Sequence, residues 1–142
     1  MASIVELREM STEKLEEALE NAREEMYNLR FQRATGRLEN YSQLKKTRQE
    51  IARLATVLNA RQEAIAVAAQ EAEIAAALAG KEWQAEARFD YELSVWLVNF
   101  TDKEENALAS ARVNLNKKQY VPRQDRRQAK PIRLVTKYEI AG

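Results

Sequence analysis

The chain has 142 residues, enough for one domain or for one small domain with an extension. Charged residues make up 32% and aromatic residues 7%, and glycine and proline are scarce, which favours a mainly α fold over a β sandwich. Because the chain has no cysteine and no histidine, it lacks the side chains that supply most nucleophiles, general bases and transition-metal ligands. We therefore predict no enzyme, no cofactor and no metal site.

The first ten residues carry Glu6 and Glu9 and contain neither a basic nor an apolar segment, so they do not predict a signal peptide. The longest apolar tract, residues 74–80, is far shorter than the roughly 20 residues that cross a bilayer. We expect a cytoplasmic protein without a membrane span and without a small-molecule substrate.

The net charge of +1 conceals four blocks of alternating sign. Residues 1–29 carry −5, residues 30–61 carry +6, residues 62–116 carry −6 and residues 117–142 carry +6. Two basic blocks separated by acidic ones predict two places that contact a polyanion.

The first predicted helix covers residues 12–34, because apolar or small side chains recur there at steps of three and four. Ser11 or Thr12 is its predicted N-cap. Gly36 predicts a left-handed C-terminal cap, and Asn40 predicts the start of a second helix. The short connection predicts that the two helices form an antiparallel coiled-coil hairpin.

The second helix carries a stripe at seven-residue spacing, which predicts a seam against a partner helix. The stripe consists of Leu44, Ile51, Leu58 and Ile65. No breaker precedes Gly80, so the helix is predicted to be long, whereas the first helix spans about 35 Å and covers it only to about residue 63. The overhang, residues 64–80, is rich in alanine and is either a self-supporting spacer or a helix that docks on a neighbour.

Beyond Gly80, five of the ten aromatic residues fall within residues 83–100 and predict a small aromatic core. Residues 93–100 fit a short strand or a buried helix. Asp102, followed by Glu105, predicts the cap of a helix over residues 102–116. Residues 132–138 alternate as a strand does, and we predict that they pair with residues 93–100.

Residues 117–133 contain two prolines, seven positive charges and no apolar stripe, and they predict an extended basic arm. The arm is either a disordered linker or a segment that follows RNA phosphates, with a ring that stacks on a base. The RNA-binding residues predicted in it are Lys117, Lys118, Tyr120, Arg123, Arg126, Arg127, Lys130 and Arg133.

The predicted fold is thus mainly α, with an antiparallel two-helix coiled-coil hairpin and a long second helix. A C-terminal extension of mixed helix, short strand and extended basic arm follows it. The predicted segments are the hairpin over residues 1–63, an alanine-rich helical continuation over 64–80, an aromatic patch and helix over 81–116, and a basic arm with a strand over 117–142.

Several short segments in the first sixty residues carry a family resemblance. They are Glu6-Leu7-Arg8-Glu9-Met10-Ser11, Asn28-Leu29-Arg30-Phe31-Gln32, Ala34-Thr35-Gly36, Leu38-Glu39-Asn40, Ile51-Ala52-Arg53 and Thr56-Val57-Leu58. Their order and spacing resemble the bacterial large ribosomal subunit protein 29 family. The resemblance implies a structural, rRNA-binding component of the ribosome that acts in translation. It also implies a helical hairpin near the polypeptide exit tunnel, beside another ribosomal protein and at a docking area for nascent-chain factors.

The resemblance implies RNA contacts by backbone and shape recognition. The implied positions are Arg30, Gln32, Thr35, Gly36, Asn40, Arg48 and Arg53, to which Arg33, Arg37, Lys45 and Lys46 add charge. Three features depart from the family. Tyr41 stands where many members have proline, Gln49 replaces the second arginine of a common pair, and the family usually ends near residue 65. We predict that the remainder is a lineage-specific extension that contacts a second rRNA or protein site.

Two other function hypotheses stand beside the ribosomal one. The first is a ribosome-independent coiled-coil adaptor that mediates protein–protein interaction through the stripe and the alanine-rich overhang. The second is an enzyme built on the carboxylates of Asp90 and Glu92 or of Glu104 and Glu105. A solvated helix face or capping groups explain adjacent carboxylates more simply than catalysis does. The sequence contains no motif that binds a phosphate or positions a metal.

Overall fold

A computed structural model describes residues 3–116, 121–128 and 134–141 of the chain. These residues form helices α1 (Ile4–Glu9), α2 (Thr12–Ala34), α3 (Ser42–Ala69) and α4 (Ala72–Leu78), and strands β1 (Gln84–Asp90), β2 (Val95–Thr101), β3 (Ala107–Val113) and β4 (Val135–Ile140). The chain divides into two compact units, Met1–Ala60 and Arg61–Gly142. The prediction of a mainly α fold is correct for the first unit and wrong for the second, which contains a four-stranded sheet.

The first unit begins with α1, a helix that the sequence pattern did not predict. Its start is a capping box in which the Ser3 hydroxyl accepts from the Glu6 N–H at 3.3 Å and the Glu6 carboxylate accepts from the Ser3 N–H at 2.8 Å. Met10 then adopts an extended backbone and separates α1 from α2. The bounds predicted for α2 are confirmed, and Ser11 caps it by accepting from the Lys14 N–H at 3.4 Å.

One hydrophobic cluster forms the core of the first unit. Its buried members are Leu7 of α1, then Leu15, Leu19 and Ala22 of α2, and Leu54, Val57 and Leu58 of α3. Three helices therefore share this core, and the antiparallel two-helix hairpin itself stays a prediction.

The seven-residue seam predicted for the second helix is wrong in its strict form. Of its four members only Leu58 is fully buried, while Leu44, Ile51 and Ile65 are half-buried. The most buried side chains of α3 are Leu54 in the first unit and Ala64 and Ala68 in the second. The buried positions of α3 are thus shifted from the predicted stripe, and their steps of three and four are shared by a coiled-coil seam and by a helix with one face in a globular core.

The helix predicted to run unbroken to Gly80 is interrupted. α3 ends at Ala69, and Glu71 adopts an extended backbone before α4 begins. No breaker residue marks this point. The break lets Ile74 and Leu78 become buried on α4, which packs against β3 and β4, so tertiary packing overrides helix propensity. Of the two alternatives for the overhang, docking on a neighbour is correct for α4. α4 ends with an extended Ala79, and Gly80, at φ +72°, is the third residue of a type II turn in which the Lys81 N–H donates to the Leu78 carbonyl at 3.2 Å.

The sheet of the second unit is an antiparallel meander with the strand order β1-β2-β3-β4. Its buried face consists of Ala87, Trp96, Val98, Phe100, Ala109, Ala111, Val113 and Val135. The predicted aromatic core is confirmed in part. Trp96 and Phe100 are buried, and the half-buried Phe89 and the exposed Trp83 lie edge to face with them at 5.2 and 5.4 Å, whereas Tyr91 is exposed.

Two predictions for the extension are wrong. Residues 102–116 contain a turn and β3 in place of a helix, and β4 pairs with β3 and not with residues 93–100. In β3 the buried Ala109 and Ala111 alternate with the half-buried Ser110. Alanine carries little apolar area and has a high helix propensity, so the two-residue period of this strand is a weak signal in the sequence.

The turn between β2 and β3 is closed by the carboxylate of Asp102. It accepts from the N–H groups of Glu104 at 2.8 Å and Asn106 at 2.9 Å, and from the side-chain amide of Asn106 at 3.3 Å. Glu105 completes the turn in the left-handed region, with φ +64°. The bond from the Asn106 backbone is the main cause that lowers the pKa of Asp102 below its ordinary value of 3.8.

We expect Asp102→Asn to lower the melting temperature most near neutral pH and least in acid. The folded pKa of Asp102 lies below the unfolded one, so the carboxylate stabilises the fold above pH 3.8. This contribution disappears as the pH falls through the folded pKa. Thermal unfolding from about pH 7 to about pH 2 measures the effect. Glu104→Gln removes the same charge from the same turn and is the control. A pH-independent difference between Asp102→Asn and wild type would contradict the explanation.

The basic segment joins β3 to β4, and its base is closed by a bond from the Asn114 N–H to the Leu134 carbonyl at 2.9 Å. In residues 121–128, the Asp125 N–H donates to the Pro122 carbonyl at 2.9 Å and the Gln128 N–H to the Asp125 carbonyl at 3.0 Å. The predicted extended arm is therefore wrong for this part, which consists of consecutive turns. The predicted contacts Lys117, Lys118, Tyr120, Lys130 and Arg133 lie outside the described residues.

Candidate nucleic-acid interface

The turn between α2 and α3 is built by a Schellman motif. Gly36 has φ +74°, its N–H donates to the Arg33 carbonyl at 3.2 Å, and the Arg37 N–H donates to the Gln32 carbonyl at 2.8 Å. The Thr35 hydroxyl donates a hydrogen bond to the Phe31 carbonyl at 3.1 Å, at the same end of the helix. The predicted left-handed stop is confirmed, and the motif fixes the direction in which the chain leaves α2.

Asn40 begins the second helix, as predicted. Its side-chain oxygen accepts from the Ser42 N–H at 3.1 Å and from the Ser42 hydroxyl at 2.6 Å. Asn40 therefore has a structural role in addition to the RNA contact predicted for it.

We expect Gly36→Ala to reduce the free energy of unfolding of the first unit by about 1–2 kcal/mol, the usual penalty for a left-handed residue with a Cβ. No neighbouring atom lies within 4 Å of the position that a Cβ would take, so the cost is backbone strain alone. Urea unfolding measures it. Gly36→Asn is the matched control, because asparagine tolerates this conformation and is expected to retain most of the stability. Equal losses in the two variants would exclude the backbone explanation.

All predicted RNA-binding residues of the first unit are exposed. Its basic members define what we call the basic turn surface: Arg30, Arg33, Arg37, Lys45, Lys46, Arg48 and Arg53. In the described part of the chain, none of these except Arg53 has an ion pair, a ring contact or another electrostatic partner. The charges of the other six are therefore available to an external anion.

The helix dipoles separate two groups of these cations. Arg33 lies in the last turn of α2, where a positive charge is stabilised without any ligand. Lys45 ends the first turn of α3, which contains no acidic residue, and Lys46 follows it. A cation there opposes the dipole at a cost of about 0.3–1 kcal/mol. An anion bound from outside offsets this cost, so these two lysines indicate a binding surface more strongly than Arg33 does.

Three exposed aromatic side chains lie beside the basic turn surface and were missed by the sequence analysis. Tyr27, Phe31 and Tyr41 are 70%, 62% and 63% exposed. Their rings offer faces on which unpaired bases can stack. A signal for Phe31 existed in the sequence: it follows Leu29, the last buried residue of α2, by two positions, and residues two apart lie on opposite sides of a helix.

The basic residues of the second unit fall into different environments. Arg123, Arg126 and Arg127 are exposed in the turns of residues 121–128. Arg61, counted in the second charge block, is only 7% exposed. Burial lowers its pKa, and the carboxylate of Glu86 opposes that shift. Arg61 is therefore a structural residue and not part of an exposed basic surface.

The carboxylates considered for catalysis belong to turns. Asp90 accepts from the Glu92 N–H at 2.9 Å, and Glu104 and Glu105 lie in the turn closed by Asp102. Within residues 3–116, 121–128 and 134–141, no three acidic side chains are grouped closely enough to hold a metal ion. Over the same residues, no helix combines the length and the apolar character needed to cross a membrane.

Comparison with known proteins gives matches to the first unit. The profile of the family described as Ribosomal L29 protein matches residues 5–61. The large ribosomal subunit protein uL29 of Rubrobacter xylanophilus is 59% identical over 54 residues, which are 38% of this chain and 81% of the relative. The uL29 proteins of Mycobacterium tuberculosis and Mycobacterium ulcerans are 54% identical over 57 residues, 40% of this chain and 74% and 71% of theirs. The family match ends where the first unit ends.

Proposed function

The chain belongs to the ribosomal L29 protein family, and on this basis we propose that it binds large-subunit rRNA through the basic turn surface of its first unit. The 59% identity to a large-subunit protein over 81% of that protein carries the proposal. The chain is a structural component of the large ribosomal subunit and not an enzyme. Its location is accordingly on the ribosome, in the cytoplasm of a bacterium.

The proposed shape of the first unit is an antiparallel hairpin of α2 and the first part of α3. The shared cluster supports it, because Ala22 and Leu54 both belong to this cluster and lie equally far along the chain from the turn residues Thr35 and Tyr41. A reversal of the chain between Thr35 and Tyr41 brings two such residues together. It also gathers most of the basic turn surface at one end of the hairpin.

RNA recognition in this proposal uses backbone and shape. The guanidinium groups of Arg30 and Arg37 can form paired bonds to phosphates, and Lys45 and Lys46 act as point charges. The space around Gly36 is open, which allows RNA to approach the backbone closely. Phe31 adds a ring for stacking. These contacts fix position more than base sequence.

We further place the first unit near the polypeptide exit tunnel, beside a second ribosomal protein and within reach of nascent-chain factors. The family resemblance supports this position. The exposed acidic side chains of α2 suit protein or water better than RNA. They are Glu13, Glu16, Glu17, Glu20, Glu24 and Glu25.

The second unit is proposed to contact another rRNA or protein site through the exposed Arg123, Arg126 and Arg127. The alternative of a ribosome-independent coiled-coil adaptor has less support. Its dimer seam requires Leu44, Ile51 and Leu58 to be exposed, whereas Leu58 is buried and the other two are half-buried.

Gradient sedimentation of a cell lysate at high salt tests the proposal. We expect the full chain to co-sediment with large subunits and to remain there after a wash that removes loosely bound factors. A ribosome-free pool that contains all of the protein would contradict the proposal and favour the adaptor.

A further inference from the structure

The sheet of the second unit carries a row of cations on the face opposite its buried side chains. In β2, Leu97 alternates with the buried Trp96 and Val98. The register pairs Leu97 with Arg88 of β1 and with Arg112 of β3, and it pairs Arg112 with Lys137 of β4. Neighbouring strands lie about 4.8 Å apart, so Arg88, Arg112 and Lys137 span about 15 Å around an apolar centre. We call this row the outer cation row.

Arg112 and Lys137 also border a groove of about 190 Å³. Leu97 lines it, and Asn99 and Ser110 add an amide and a hydroxyl that can donate hydrogen bonds. Glu139 is the one carboxylate among the lining residues, and its oxygen lies 3.7 Å from the Lys137 nitrogen. Both of these side chains are more than half exposed, so this ion pair is weak and leaves Lys137 able to meet a stronger anion.

Arg112 and Lys137 are directly opposite in the sheet, an arrangement in which like charges repel and destabilise the pairing. Arg112 is half-buried, and within the described residues it has no ion pair. A single anion between the guanidinium and the ammonium groups would remove the repulsion. It would accept a forked pair of bonds from Arg112 and one from Lys137.

The position of the groove indicates a polyanion and not an isolated anion. The basic connection leaves the sheet at Asn114, two residues after Arg112, and returns at Leu134, three residues before Lys137. The exposed Arg123, Arg126 and Arg127 belong to that connection, so further cations lie along the chain between the two strands that border the groove. Successive phosphates of one strand suit such a spaced series of cations.

We propose that the outer face of the sheet binds the phosphodiester backbone of RNA, with Arg112 and Lys137 on one phosphate and Arg88 further along the strand. Leu97 provides an apolar contact for a ribose between them. This inference rests on the proposed function, because the ribosome supplies the RNA. It assigns an RNA contact to three cations and a sheet face that the sequence analysis did not consider.

Ultraviolet crosslinking of large subunits that carry the full chain tests the inference, with mass spectrometry to locate RNA adducts. In the wild type, adducts are expected on peptides that contain Leu97, Arg112 or Lys137. The double variant Arg112→Gln with Lys137→Gln is expected to reduce them by about tenfold, the effect of removing a charged hydrogen bond. Lys81→Gln with Lys103→Gln removes the same charge from exposed positions elsewhere in the second unit and is the matched control.

A second measurement uses the purified full chain and a single-stranded RNA. The slope of log affinity against log salt is expected to fall in magnitude by about 0.7 in the double variant, the contribution of the one phosphate that Arg112 and Lys137 share. Thermal unfolding confirms that the variant is folded. An unchanged slope, adducts absent from the wild type, or adducts retained in the double variant would each overturn the inference.

The inference and the proposed function fail in different ways. A chain that co-sediments with large subunits but lacks adducts on the sheet contradicts only the inference. If amine-reactive reagents then join Lys137 to another ribosomal protein, the outer face is a protein contact. A chain that does not co-sediment contradicts the proposed function itself.

Discussion

Replacing Arg30, Arg33 and Arg37 together by glutamine is expected to weaken the binding of the full chain to large-subunit rRNA by at least about a hundredfold. A hydrogen bond to a charged group contributes about 1.5–3 kcal/mol, and three such bonds are removed at one end of the first unit. All three side chains are exposed. The fold is therefore expected to lose no more than about 1 kcal/mol, mainly from the helix-end charge of Arg33.

Binding assays at several salt concentrations measure this effect. The slope of log affinity against log salt is expected to fall in magnitude by about 2, since each neutralised phosphate contributes about 0.7–0.9. Lys14, Arg23 and Lys81, also exposed, supply a matched triple variant with the same change of charge. Equal weakening in the two triple variants would mean that general electrostatic attraction, and not the basic turn surface, holds the RNA.

The first unit could be predicted closely because its signals are local. Ser11, Gly36 and Asn40 each act within a few residues of the helix end that they define, and the three- and four-residue steps of α2 persist over about four turns. The exposure of the basic turn surface follows from the same periodicity, since its residues on α2 and α3 avoid the positions of the core.

The second unit could not be predicted in the same way, because its order depends on contacts between distant residues. Ala109 and Ala111 are buried through pairing with β2 and β4, which nothing in their own sequence encodes. The break at Glu71 has no breaker residue and exists because Ile74 and Leu78 become buried where α4 packs on the sheet. The predicted strand pairing is wrong for the same reason. β4 pairs with β3, and the sequence pattern predicts a helix where β3 lies.

The candidate site, too, could be predicted only in part from the sequence. Arg61 contributes to the sequence charge of a basic block and yet is buried, while Phe31 is apolar and yet exposed. Both are reversed relative to the simple rule that charged residues lie outside and apolar ones inside. The outer cation row has no sequence signal at all, because Arg88, Arg112 and Lys137 become neighbours only through the register of four strands.

The end of the family match and the boundary between the two units both lie within α3. The family match ends at residue 61, the first unit ends at Ala60, and α3 continues to Ala69. The extension therefore begins within a helix and not at a linker. Its first turns contribute Ala64 and Ala68, two fully buried residues of the second unit.

Phe100→Ala is expected to cost the second unit about 3–5 kcal/mol, the usual loss when a buried phenylalanine is truncated. Phe100 is fully buried, lies edge to face with Trp83 at 5.4 Å, and is paired in register with Ala85 and Ala109. The two alanines are too small to fill the cavity that its removal leaves. A loss of this size is a large part of the total unfolding free energy of a small unit. We therefore expect the sheet to unfold at a much lower urea concentration.

The chain offers a selective probe for this prediction, because its two tryptophans, Trp83 and Trp96, both lie in the second unit. Tryptophan fluorescence should show the early transition in Phe100→Ala, while helical circular dichroism should retain a later one. The later transition belongs to the first unit, whose core cluster contains no residue beyond Leu58. Leu93→Ala, at a position that is 50% exposed, is the control and should change neither transition. One coincident transition in both probes would show that the two cores unfold as a single cooperative body.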